Sequence, residues 1–126
     1  MPHNNPVVYF EIPVSDMHRA MAFYKQVFHF SFDETTIDHQ EMALFPFSAG
    51  GLGISGALAK GEIYRPSTEG VLIYFRTASI EETLSLALAA GATVLYPKTS
   101  NGAWGCVAEF MDSEGNRIGL HEANEG

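Results

Sequence analysis

The chain holds a single cysteine, Cys106, in 126 residues. One thiol excludes an intrachain disulfide and a thiolate metal cluster. Cations are scarce as well: 7 Lys and Arg stand against 15 Asp and Glu, for a formal net charge of −8. The few basic residues are scattered singly, and an acidic surface repels phosphate backbones and anionic lipid, so nucleic acid is not an expected partner. No apolar run approaches the ~18 residues a spanning helix needs. The opening Met-Pro-His-Asn-Asn lacks the basic and apolar regions of a signal peptide. A reducing cytoplasm without membrane contact is the expected setting. Gly50-Gly51-Leu52-Gly53 lacks the Lys-Ser/Thr of a phosphate loop and precedes no predicted helix, and no Gly-x-Ser-x-Gly elbow occurs.

What is present is enough for one packed domain, with 46% hydrophobic and 12% aromatic residues. The first half opens on a β-rich run, residues 7–14, closed by Ser15-Asp16. Asp16 is a helix N-cap, and Ala20, Phe23, Tyr24, Val27 and Phe28 then fall on one helical face. Three strand-like stretches follow, at about 30–35, 41–46 and 52–58. Asp38-His39 and Ala49-Gly50-Gly51 are turn sites between them.

The second half repeats that order after a polar linker. Residues 71–76 form a strand of β-branched and aromatic residues. Ser79-Ile80-Glu81-Glu82 reads as a capping box, Ile80, Leu84, Ala87 and Leu88 share a helical face, and Gly91 ends the helix. Strands at 92–96, 105–110 and 116–121 follow, with turns at 99–102 and 112–115. One helix per group of strands predicts an α+β domain of two βαβββ modules. The expected bounds are about 6–60 for module one, 61–69 for the linker and 70–122 for module two.

Two stretches resemble a known family. Tyr9-Phe10-Glu11-Ile12-Pro13-Val14-Ser15-Asp16-Met17, followed by Ala22-Phe23-Tyr24 and Val27-Phe28, is similar to the opening of glyoxalase/bleomycin-resistance proteins of the vicinal oxygen chelate superfamily. His29 stands where a glycine is common. The closing run from Ala108 to His121 resembles the family's end signature, with Ser113 in place of a common proline. The resemblance implies two modules curling into a concave, half-barrel-like mixed sheet around a pocket, with helices outside, and a homodimer. In metal-using members it implies a His on each module's first strand and a Glu late in each module. Here those positions fall on Tyr9, Leu72 and Gly119, with only Ile54 or Ser55 available for the fourth. Leucine and glycine have no ligand atom and a neutral phenol is a poor one, so neither metal nor other cofactor is expected.

The same register assigns inward positions, since alternate strand residues share a face. Tyr9 and Glu11, Tyr74 and Arg76, and His121 are then the candidate site. Glu11 reads as a general base or orienting acceptor, or else as the ion-pair partner of Arg76 or a partly exposed strand end. His121 reads as a proton shuttle beside it, or as a solvated tail residue. Tyr9, Tyr74 and Arg76 are candidate ligand contacts. Trp104, the only tryptophan, stacks on a flat ligand at the pocket mouth or else caps the core or a dimer contact. Cys106 reads as a small buried hydrophobe, and Met42, Phe45 and Phe47 as lining or core. A rival metal set of His3, His39 and Glu41 falls in polar turn context and reads as solvated loop residues. The expected function is metal-free small-molecule binding of the bleomycin-resistance type. The alternative is a lyase, isomerase or glyoxalase-like enzyme using Glu11, with or without a divalent metal.

Overall fold

The computed structural model describes residues 5–124. Its elements follow the order β1 (Phe10–Pro13), α1 (Met17–Phe28), β2 (Asp33–Ile37), β3 (Gln40–Leu44), β4 (Gly56–Lys60), β5 (Ile73–Arg76), α2 (Ile80–Ala89), β6 (Thr93–Ser100), β7 (Cys106–Met111) and β8 (Arg117–Glu122). A 3₁₀ turn at Gly102–Trp104 separates β6 from β7. Two four-stranded sheets result, ordered β1-β4-β3-β2 and β5-β8-β7-β6. In each, the first strand pairs parallel to the last and the other pairs are antiparallel. The α+β class and its two βαβββ modules are therefore as expected. Among the described residues no helix is long and apolar enough to cross a membrane.

Local chemistry sets the helix ends. The Asp16 side chain accepts from the Arg19 N–H at 3.0 Å, and the Ser79 hydroxyl from the Glu82 N–H at 3.2 Å. The capping box is only half formed. The Ser79 N–H donates to Thr77 Oγ1, and the carboxylate of Glu122 on β8 takes the Ile80 N–H at 2.7 Å. α1 ends on His29 at φ 64°, and Gly91 follows α2 at φ 95°.

Strand bounds differ from expectation, and pairing explains why. β1 starts at Phe10 rather than Val7 because its partner β4 starts opposite it, at Gly56. Residues 52–55, expected in β4, have no ladder partner, and the Asp33↔Leu44 pair sets where β2 begins. Phe30 and Phe32, expected in that strand, pack instead against Phe45 at ring distances of 5.6 and 5.0 Å. Ile37↔Gln40 leaves a two-residue hairpin loop in which Asp38 and His39 both have positive φ, as a type I′ turn demands. β6 runs on to Ser100, through the expected turn start, with register shifts on either side of Tyr96.

One main core joins both modules. Ile12 and Leu58 of the first sheet, Val14 just after β1, and Ala108, Phe110, Ile118 and Leu120 of the second sheet bury against Phe23, Tyr24 and Val27 of α1 and Ile80 and Ala87 of α2. Phe10 on β1 meets Phe75 on β5 edge to face at 6.2 Å, so the two sheet edges meet without hydrogen bonding to one another. A smaller cluster forms on the far face of the first sheet. There Met42, Ala57 and Ala59 are buried beneath Leu44 and the linker's Tyr64.

Candidate functional site

Strand alternation carries the site. Phe10 and Ile12 on β1, Ile73 and Phe75 on β5, and Ile118 and Leu120 on β8 pack into the helix-facing core. Their neighbours Glu11, Tyr74, Arg76, Gly119 and His121 therefore share the opposite, concave face. The parallel register sets Tyr74 beside Gly119 and Arg76 beside His121. Tyr9 precedes β1 rather than lying in it.

At the β1–β5 seam opens a cavity of about 1270 Å³. Pockets that hold drug-sized ligands measure roughly 300–1,000 Å³, so the space is ample. Its walls are mostly apolar and include Phe10, Phe30, Phe45, Phe75, Leu72 and Val107. Tyr9, Glu11, Tyr74, Arg76, Trp104 and His121 also line it. Much of the molecule's exposed apolar surface rings the mouth: Val7, Phe47 at 77% exposure, Leu52 at 88%, Val71 and Trp104 at 80%. Trp104 therefore does not cap the core.

Glu11 is held from two sides. Tyr64 donates to Oε1 at 2.7 Å and Tyr9 to Oε2 at 3.0 Å. Among the described residues it makes no ion pair with Arg76, so that alternative reading of Glu11 is not the one observed. Burial, then donation to Glu11 and the nearby negative charge, push the Tyr9 phenol up to about 12. Donation to Glu11, followed by burial, raises Tyr64 too. Both phenols thus stay protonated donors at neutral pH. Among the described residues His121 makes no hydrogen bond to Glu11; its Nε2–H donates to the Trp104 carbonyl and ties the 3₁₀ turn before β7 to β8. Tyr64 was not among the expected site residues. It sits in a polar linker, where only its own aromatic ring distinguishes it.

The positions that the family resemblance assigns to a metal do not fit one. Tyr9 donates to Glu11. At Gly119 the ring of Tyr74 fills the space, since a Cβ there would lie 2.6 Å from Tyr74 Cδ1. Among the described residues no three His, Cys, Asp or Glu side chains gather as a metal set. His39 lies in the β2–β3 turn, Glu41 faces Lys60 at 4.0 Å, and His3 falls outside the described residues. Cys106 is half-buried, Met42 belongs to the smaller cluster, and Phe45 is both core and cavity wall.

Two curled βαβββ modules around an apolar cavity define a class of small α+β domains. The chain belongs to the Glyoxalase/Bleomycin resistance protein/Dioxygenase superfamily, whose model matches residues 7–120. No curated protein matches it in sequence. Among solved structures it is similar to TnmS3, an antibiotic binding protein from Streptomyces sp. CB03234, at 25% identity and TM-score 0.70, over 98% of this chain and 100% of that one. A glyoxalase/bleomycin resistance protein from the same organism is 27% identical at TM-score 0.68, over 91% and 98% of the two chains. A family enzyme from Burkholderia phytofirmans PsJN shares the fold at TM-score 0.72 and 20% identity, over 92% and 97%.

Proposed function

We propose that the protein binds and sequesters a small molecule with a large apolar surface in the seam cavity without a metal. The observation that carries this reading is the cavity itself, large, aromatic-walled and bordered by exposed apolar side chains. Likeness to an antibiotic binding protein over the full length of both chains supports it. Burial of aromatic ligand surface at roughly 25 cal/mol per Å² supplies the driving force. The phenols and Arg76 then orient the ligand. The chain acts as one domain, because core and cavity draw on both modules. We assign it to the cytoplasm, where the lone thiol of Cys106 stays reduced. The apolar mouth also suits a second copy of the chain, and sedimentation velocity would report such a homodimer.

Titration with a panel of aromatic antibiotics, followed by Trp104 emission and by native mass spectrometry, tests the reading. Saturable one-to-one binding that survives chelation and leaves the compound unchanged is expected. Stoichiometric metal retained through dialysis and required for binding would overturn it.

A second reading, an enzyme with Glu11 as acid or base, is favoured by one observation: this carboxylate lies on the cavity wall. Each of its oxygens already accepts one phenol proton and keeps a second lone pair for a substrate. Turnover of a bound compound, abolished in Glu11→Gln with binding retained, would establish that reading in place of the first.

A further inference from the structure

Among the described residues, the cation on the cavity wall has no partner. Arg19, Lys60, Lys98 and Arg117 each lie within 4.0 Å of a carboxylate. Among the described residues Lys25, Arg65 and Arg76 make no such pair; of these only Arg76 lines the cavity, and its guanidinium donates to no protein group. This occurs in a chain with 15 acidic residues, where partners are plentiful. The one carboxylate on the cavity wall, Glu11, is occupied by Tyr9 and Tyr64 instead. Above the guanidinium the chain passes as bare backbone. Gly53 has φ 83°, and a Cβ there would lie 3.5 Å from Arg76 Nη2. A planar group with five donors and no acceptor, exposed on an otherwise mostly apolar wall, is suited to an oxyanion.

We propose that Arg76 sets the specificity of the cavity, and that the ligand is an amphiphile with an aromatic body and one anionic group, carboxylate, sulfonate or phosphate, that pairs with Arg76. This rests on the reading of the cavity as a small-molecule site and adds the ligand's charge to it. Tyr74 on the same strand face and Phe75 in the wall give the aromatic body its surface.

Two fluorescent probes of nearly the same shape separate the claims. 8-Anilinonaphthalene-1-sulfonate carries the anion, and N-phenyl-1-naphthylamine lacks it. The native protein is expected to bind the sulfonate about tenfold more tightly at low salt, the scale of one charge-assisted contact near solvent. The preference narrows as salt rises. The ratio of the two affinities is the readout. Arg76→Gln brings it to about one, and Arg76→Lys, which keeps the charge but not the fork, retains part of it. Equal binding of both probes by native protein, with a ratio that Arg76→Gln does not move, would overturn the role of Arg76 while leaving the cavity reading intact. Binding of neither probe would overturn the cavity reading and this proposal together.

Discussion

The hydroxyl of Tyr24, on the helix of the first module, donates to Asp112 Oδ2 of the second at 2.7 Å. Tyr24 is 0% exposed and Asp112 only 4%. The other carboxylate oxygen of Asp112 accepts from the N–H groups of Glu114 and Asn116, both at 2.9 Å. Burial, reinforced by the facing carboxylate, holds the Tyr24 phenol well above its ordinary range. The bond is a cross-module tie in a dry place. Tyr24→Phe removes its donor and leaves Oδ2 with only the longer Asn116 amide contact at 3.3 Å. The expected cost is about 1–3 kcal/mol in urea unfolding. A change under about 0.5 kcal/mol would mean that the tie contributes little.

A second tie predicts acid behaviour. Glu114 accepts from the Ser15 and Asp16 N–H groups, both at 2.8 Å, and from the Arg19 guanidinium at 2.7 and 3.0 Å. The Ser113 hydroxyl also donates to it, at 3.0 Å. Burial alone would push this carboxyl up, but donation from Arg19, the Asp16 and Ser15 N–H groups and Ser113 outweighs it and holds it at about 2, below its ordinary 4.5. The folded state therefore binds fewer protons than the unfolded state between those values. The stabilisation is complete above about pH 4.5 and is lost as pH falls toward 2. Thermal unfolding across that window should show a steep acid limb that Glu114→Gln flattens, along with a loss of about 2 kcal/mol at neutral pH. Parallel acid limbs in both proteins would count against the assignment.

His29 holds φ 64° at the end of α1, and its N–H donates to the Lys25 carbonyl at 2.8 Å. A side chain pays a steric cost in this left-handed conformation that glycine avoids. His29→Gly should stabilise the fold by about 0.5–1 kcal/mol, partly offset by the freer unfolded chain. Differential scanning calorimetry would register a higher Tm, and a lower one would refute the strain.

Gly119 and Tyr74 offer a probe of the cavity wall. In Gly119→Ala the new methyl overlaps the ring, which must swing away because strand backbone cannot. Tyr74 is 48% exposed, so the fold should lose under about 1 kcal/mol. N-Phenyl-1-naphthylamine should bind roughly fivefold more weakly, equivalent to about 1 kcal/mol. Unchanged probe affinity would remove the ring from the binding wall.

Much of this was legible in the chain because local rules set it. The spacing of Ala20, Phe23, Tyr24 and Val27 gives α1 its face, and Asp16 and Ser79 cap their helices through contacts three residues away. Period two in β5 is just as local, so Tyr74 and Arg76 could be assigned one face before any partner strand was known. Strand ends were less legible. Val7 and Val8 are β-prone, yet a strand ends where its neighbour does, and the neighbour is 46 residues on, at Gly56 opposite Phe10. Tyr64 eluded the reading for the same reason. Its bond to Glu11 joins residues 53 apart, and nothing beside Tyr64 in sequence announces the contact.

The linker's reach has a consequence for how the two halves differ. Tyr64 lies over Met42, Ala57 and Ala59 and so plugs the hollow of the first module with the chain's own tether. The second module's hollow, with Tyr74, Arg76, Val107 and His121, is left open to the cavity. Of two similar modules, one hollow is filled by the linker and the other is open. A change in what the cavity holds should therefore arise from its walls in either half, Phe10, Phe45 and Leu52 as much as Tyr74 and Arg76, while substitutions at Tyr64 should first loosen the packing beneath it.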